Sequence, residues 1–437
     1  SDTTGWPVCG LFFGDRLWSL GSIEAPDLIV GSVVSAYETN SQTTPVGEVD
    51  DDSAIVVRLN AKKLARIRWA SSDDRGLMIG TQSGEWTLRG MDQNAKLTAR
   101  NIEAKNPTER GSAQVDCVKV DSQVLYTQRS KRTIREFAYV FEADGYKTPS
   151  MSQLASHIGA KRFEQMVYAA EPYSIVWNRR ADGTMAGLTY NREENVIGWH
   201  RHDVGGFIET MAVIPSQDQT TDTLWLGVRR TINGQTRRYV ERLTKFWDFD
   251  FTLDDAFYVD CGLRYDGEPL PGGVLYGLSH LEGKDVYGLA DGVAFGPETV
   301  VNGSITLPNE ASKVVVGLGI DNLGTTHRPE AGGDDGTAQG KVKRWNILGA
   351  LLWDSIEGEF GTYDEANKEI KWEPVSYDES PYDEISEVPE PRTEQVGPIH
   401  PNSGYGKDGS LYFRQPIDKP YPFNIIAFYP QGLTQNR

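Results

Sequence analysis

Apolar and polar side chains alternate with a period of two along most of this chain, and the alternation is interrupted every few residues by Gly, Asn, Asp or Ser. The three-to-four-residue spacing of an amphipathic helix is scarce. Four stretches read most clearly as β-hairpins: 76–90 (GLMIGTQSGEWTLRG), 124–140 (VLYTQRSKRTIREFAYV), 174–190 (SIVWNRRADGTMAGLTY) and 223–244 (TLWLGVRRTINGQTRRYVERLT). Each has an apolar first strand, a polar turn and an alternating second strand. The turns are Ser83-Gly84, Ser130-Lys131, Asp182-Gly183 and Asn233-Gly234; Asp-Gly and Asn-Gly suit the positive φ angles of two-residue hairpin loops. These turns recur about every 50 residues, a spacing found in propeller blades, and residues 8–20 followed by 28–38 form a further candidate blade. The pattern predicts an all-β chain built on a β-propeller of about six blades. A large β-sandwich is the competing architecture, since no Trp-Asp signature closes each unit.

One stretch departs from the pattern. Residues 149–166 (PSMSQLASHIGAKRFEQM) predict a helix capped by Ser150 or Ser152, with Leu154, His157, Ile158 and Phe163 roughly on one face. Composition shifts after Trp247, so the expected organisation is a propeller over 1–250, a small Gly-rich, sandwich-like β-domain over 251–322, and long loops plus closing strands over 323–437. Strands are expected at 285–290, 303–307, 313–320, 410–415 and 423–429. The stretches 324–340 and 363–395 read as long exposed loops, the second of them solvated and acidic.

Composition narrows the function classes. The 437 residues carry 62 acidic and 44 basic side chains, a formal charge of −18. That balance argues against a protein that grips nucleic acid, because such affinity comes from Lys and Arg displacing counterions. No membrane-spanning segment is expected, since no run of about 18 apolar residues exists, and Ser1-Asp2-Thr3-Thr4 does not lead into a signal-peptide core. Cys9, Cys117 and Cys261 are scattered and make neither a disulfide framework nor a zinc motif; buried thiols in a reducing compartment are the expected state.

Candidate chemistry is sparse. There is no phosphate-binding glycine loop, no nucleophile elbow and no metalloprotease helix motif. His200 and His202 would project from one face of a strand, but zinc needs three or four ligands and the spacing offers no third. Asp248, Asp250, Asp254 and Asp255 could offer oxygen ligands to calcium, yet the glycine-centred loop of an EF-hand is missing. Glu193 and Glu194 could be nominated as a glycosidase pair, but with 62 acidic residues almost any pair can be, and such a pair is far more often turn polarity. Arg129, Arg132 and Arg135, and then Arg229, Arg230, Arg237 and Arg238, are expected to pair with carboxylates between strands or subunits. The eleven tryptophans are read as core, with sugar stacking as the alternative. No catalytic, cofactor-binding or metal residue is assigned, and no cofactor is expected.

Several segments taken together resemble the tail nozzle, tail hub or tail tubular protein family of short-tailed bacteriophages. They are 5–22 (GWPVCGLFFGDRLWSLGS), 50–55 (DDDSAI), the 77–88 hairpin with Gly84-Glu85-Trp86, and the stretch from Pro172 through Trp199 to His202. The last is the most specific, through its Val-Trp, Asp-Gly, Leu-Thr-Tyr and Gly-Trp-His succession. DTLWLGVRR (222–230) and YVERL (239–243) follow in order, and HLEGKDVYGLADG (280–292), VNGSITL (301–307) and VVVGLG (314–319) resemble the small β-domain after the propeller. Members of the family carry a segment before the Gly-Trp-Pro strand, so the resemblance implies a processed, truncated or short member.

The resemblance implies a non-enzymatic virion protein, made in the bacterial host cytoplasm and located in the phage tail. It would be a homohexamer that meets the tail adaptor ring of the head-tail connector and the tail fibre, spike or needle proteins. Duplex DNA would pass through it without specific binding. An acidic lining suits that role, because it repels phosphates within a Debye length of about 8 Å. The alternative from another class is a β-propeller glycan-active enzyme or a receptor-binding tail protein, which needs a deep central carboxylate site; a third option, a secreted carbohydrate-binding propeller, is disfavoured by the absent signal-peptide pattern and the unpaired cysteines.

Overall fold

The computed structural model describes residues 5–61, 63–91, 96–247, 251–329, 337, 340–375, 377, 388–401 and 404–435. The chain divides into two compact units: residues 1–230 with 238–243, and residues 231–237 with 244–437.

The first unit is a succession of five antiparallel meanders, each strand hydrogen-bonded to the next in sequence. Sheet I contains β1 (Cys9–Phe13), β2 (Arg16–Leu20), β3 (Leu28–Gly31) and β4 (Ile55–Arg58). Sheet II contains β5 (Ile67–Asp73), β6 (Gly76–Thr81), β7 (Glu85–Arg89) and β8 (Glu103–Thr108). Sheet III contains β9 (Val118–Val120), β10 (Gln123–Thr127), β11 (Ile134–Val140) and β12 (Gly145–Lys147). Sheet IV contains β13 (Phe163–Ala169), β14 (Ile175–Arg180), β15 (Met185–Asn191) and β16 (Val196–His202). Sheet V has three strands, β17 (Phe207–Pro215), β18 (Asp222–Ile232) and β19 (Gln235–Arg242), and the tip of its β18–β19 hairpin, residues 231–237, belongs to the second unit.

Each sheet buries a face against its successor, as blades of a propeller do. Trp18, Leu20 and Ile29 of sheet I meet Ile67, Ile79 and Leu88 of sheet II. Trp69 and Met78 then meet Val124, Tyr126 and Phe137 of sheet III. Leu125 and Ile134 pack with Phe163, Val176 and Leu188 of sheet IV, and Trp177 and Met185 with Ile208, Leu224 and Val228 of sheet V. The chain is therefore all-β, with propeller-like blades and an appended sandwich-like β-unit. The hairpins expected from sequence are the β6–β7, β10–β11, β14–β15 and β18–β19 pairs, and the candidate earlier blade is sheet I. Five blades stand among the described residues of this unit, close to the six or so that the turn spacing predicts.

The Asn233-Gly234 turn is the expected two-residue loop, with φ of 48° and 71°. The helix expected over 149–166 is not there. Only Ile158–Lys161 makes a helical turn, a 3₁₀ one, and β13 has already begun at Phe163. The stretch is tied instead to the edge of sheet III: Ser150 bridges Arg135, and the Ile134 amide donates to Ser152 Oγ at 3.2 Å. Leu154, expected on the buried face, is fully exposed.

The second unit contains a four-stranded sheet with spatial order Val259–Asp266, Lys313–Gly319, Asp285–Ala290, Val293–Thr299, and a two-stranded one, Val274–Tyr276 with Ser304–Thr306. Leu275, Leu281, Val286, Phe295, Ile305 and Val316 form their core. A second four-stranded sheet pairs Gly324–Thr325, Leu411–Arg414, Glu359–Asp364 and Glu369–Pro374, and a three-stranded one pairs Gln395–Ile399, Val342–Trp353 and Asn424–Gln435. Leu348, Leu352, Phe360 and Val396 fill the space between them. The stretch read as an acidic loop from 363 thus begins inside a hairpin: Asp364 pairs Glu369 in register, and Trp372 pairs Gly361. Likewise the 324–340 stretch opens with a short strand. Much of the remainder of both stretches lies outside the described residues.

Candidate functional site

The charged side chains buried in the first unit build ties within and between blades. Arg16 sits in β2 at 2 % exposure, and its guanidinium is held by carbonyls from loops that flank the sheet. It donates to Ser32 O at 2.5 Å, Ser53 O at 2.7 Å and Asp51 O at 2.6 Å. A planar guanidinium with five fixed donors can satisfy three such acceptors at once, which an ammonium cannot do in one plane. The Asp-Arg-Leu and DDDSAI segments, far apart in sequence, are thereby joined in sheet I.

Glu85, at the start of β7, is fully buried. Its carboxylate accepts from Thr108 Oγ1 at 2.5 Å, Ser112 Oγ at 3.2 Å and the Arg110 amide at 3.3 Å. Burial nevertheless raises its pKa above the usual carboxylate range, against these bonds. The neighbouring Tyr126 phenol is pushed up by burial and by the Glu85 charge. Glu136 of β11, 1 % exposed, accepts from Tyr190 Oη at 2.8 Å and pairs with Arg192 at 3.1 Å, both from sheet IV.

His200 and His202 do project from one face of β16. Their rings approach edge to face, and Nδ1 of His200 lies 2.6 Å from Nε2 of His202, so one nitrogen donates and the other accepts. Both rings pack on Trp177, and Gly187 across the ladder leaves room for His200, because a Cβ there would lie 2.0 Å from the ring. Burial lowers the pKa of both, that of His202 to about 4 with His200 adding to the effect. Burial thus disfavours the protonated form of both rings. Among the described residues no three His, Cys, Asp or Glu side chains gather as a metal site.

The other candidates do not converge either. Glu193 and Glu194 sit exposed in the β15–β16 turn. Asp254 pairs with Lys313 at 2.7 Å; Asp248 and Asp250 lie outside the described residues, as does the Asp255 side chain. A shallow depression of about 540 Å³ in the second unit is lined by Thr325, Thr326, His327, Arg328, Asp408 and Tyr412. Its one carboxylate, Asp408, pairs with Arg328, whereas glycoside hydrolysis needs two placed across a bond.

The arginine clusters behave partly as expected. Arg230 makes a buried two-pronged pair with Glu241 at 2.6 and 2.7 Å, and Arg229 and Arg238 share Glu209. Arg135 reaches Gln128 Oε1 and the Thr148 carbonyl instead of a carboxylate. Trp18, Trp69, Trp86 and Trp177 are core, while Trp6 is 81 % exposed. No disulfide joins the three cysteines. No helix among the described residues is long and apolar enough to cross a membrane.

Sequence reasoning did not single out Arg16, Glu85 or Glu136. An Asp-Arg-Leu or Gly-Glu-Trp triplet in an apolar strand places a charge at an inward position, and that was the available signal.

No family model matches the chain, and no curated protein matches it. Among solved structures, two crystal structures of exo-β-1,3-galactanase from Phanerochaete chrysosporium with β-1,3-galactotriose align over 98 % of this chain and 96 % of theirs. Their identities are 9 % and 10 %, each with a TM-score of 0.26.

Proposed function

We propose that this chain is a structural subunit of the tail nozzle of a short-tailed bacteriophage. In this reading six copies form a ring below the tail adaptor, carry fibre, spike or needle proteins, and line the distal channel through which DNA is retained and then ejected. The observation that carries the reading is where the family-like segments fall. The 5–22 and 50–55 segments meet through Arg16 in sheet I, and the 172–202 segment supplies β14, β15 and β16 of sheet IV. The resembling residues are thus blade-building residues, as a scaffold protein requires. The net charge of −18 supports the same reading, since a duplex slides past an acidic wall without the counterion release that would hold it. Sedimentation velocity over a wide concentration range, with and without the purified adaptor, tests it. A hexamer is expected, and a chain that stays monomeric throughout, with its adaptor present, contradicts it. A screen on bacterial surface polysaccharides is the second arm, in which turnover would favour an enzyme.

A further inference from the structure

Among the described residues sheet V has three strands where its four neighbours have four, and its third strand is exposed where their third strands are covered. In sheets I to IV the third strand is largely buried and is covered by a fourth. In sheet V the third strand is β19, six of whose eight residues are exposed, with Val240 at 77 %.

The hairpin register says which backbone groups are open. The two-residue Asn233-Gly234 loop sets Ile232 opposite Gln235, and the Leu243 amide donates to Leu224 O at 2.9 Å in the same register. Steps of two then turn the backbone of Tyr239 and Glu241 toward β18 and that of Arg238, Val240 and Arg242 away from it. No further strand pairs with this edge among the described residues. Val240 lies opposite Gly227, so it has no cross-strand side chain.

The edge is also basic in an acidic protein. Arg229 and Arg238 have Glu209 between them, Arg238 is 74 % exposed along its side chain, and Arg242 has no ion pair among the described residues. Arginines on an edge disfavour pairing with a second copy of the same strand, since like charges would face each other. They favour an acidic strand for the same reason.

We propose that the β19 edge receives an extended, acidic segment of another protein as the fourth strand of sheet V. Main-chain bonds to Arg238, Val240 and Arg242 would give affinity, and the arginines would select carboxylate side chains. This inference stands apart from the nozzle reading, because it needs neither a ring nor DNA.

The probe is a fluorescein-labelled nine-residue peptide alternating glutamate and valine, titrated with the full chain by anisotropy, beside its lysine-for-glutamate counterpart. The glutamate peptide is expected to bind at least about tenfold more tightly. Val240→Pro removes one outward amide without touching the ladder to β18, and is expected to weaken binding about tenfold, whereas Val240→Thr retains it. Arg242→Glu is expected to erase the preference for glutamate. Far-UV circular dichroism and Tm establish that each variant is folded, and amide exchange in the wild type is expected to slow at Val240 when the peptide binds. Equal binding of the two peptides, binding by neither, or undiminished binding by a folded Val240→Pro variant overturns the proposal. So does self-association that Val240→Pro dissolves and the peptide leaves intact.

Discussion

Tyr190 of β15 donates its phenolic proton to the Glu136 carboxylate of β11 at 2.8 Å, across the boundary between sheets IV and III. Arg192 approaches the same carboxylate from its solvent side at 3.1 Å. A buried carboxylate without such partners would be costly, so the bond makes the packing of one blade on the next specific as well as apolar.

Tyr190→Phe is expected to lower the stability of the first unit by about 1–2 kcal/mol, because Arg192 stays as the remaining partner of Glu136. Urea denaturation followed by tryptophan fluorescence measures it, and an unchanged midpoint would show the bond to be incidental. Glu136→Leu paired with Tyr190→Phe should recover part of the loss, since no buried charge is then left unpaired.

Arg16→Met is expected to cost about 3 kcal/mol or more, since it strips the carbonyls of Ser32, Asp51 and Ser53 of their shared donor inside sheet I. Arg16→Lys should restore little of this, because one ammonium cannot reach all three acceptors in plane. Rescue by lysine equal to wild type would show that the three carbonyls do not need a planar, multi-donor partner.

The histidine pair predicts a pH dependence. In the unfolded chain each imidazole titrates near 6.5, while in the fold His202 is held to about 4 and His200 is also lowered. The unfolded state therefore binds more protons between those values, and stability present above pH 6.5 is lost as pH falls toward 4. His202 alone would account for roughly 3 kcal/mol of that loss. His202→Gln is expected to flatten the stability profile over this window; a profile with the wild-type slope would contradict it.

The blades were legible in the sequence because a β-meander writes itself locally, through alternation and through turns such as Asn233-Gly234. The helix expected at 149–166 failed for a physical reason. Ile158 and Phe163 fit a helical face by spacing, but they are buried by a 3₁₀ turn and by β13, while hydrogen bonds from the edge of sheet III claim Ser150 and Ser152. Charge hid the Glu369–Pro374 strand, where Ile370 and Trp372 alternate with Lys371 and Glu373. The facing of His200 and His202 followed from strand geometry, yet their packing on Trp177 depended on β14, two strands away, and on the room left by Gly187 of β15 between them. An inward charge was legible at Arg16, but its partners were not, since they are backbone carbonyls up to 37 residues away and carry no side-chain signature.

Single-particle electron microscopy of the purified chain, alone and mixed with a phage tail adaptor ring, tests the proposed nozzle role most directly. Six-fold rings with an open axial channel wide enough for a duplex are expected. Particles that remain single subunits under both conditions, or that assemble without a through-going channel, would contradict that role.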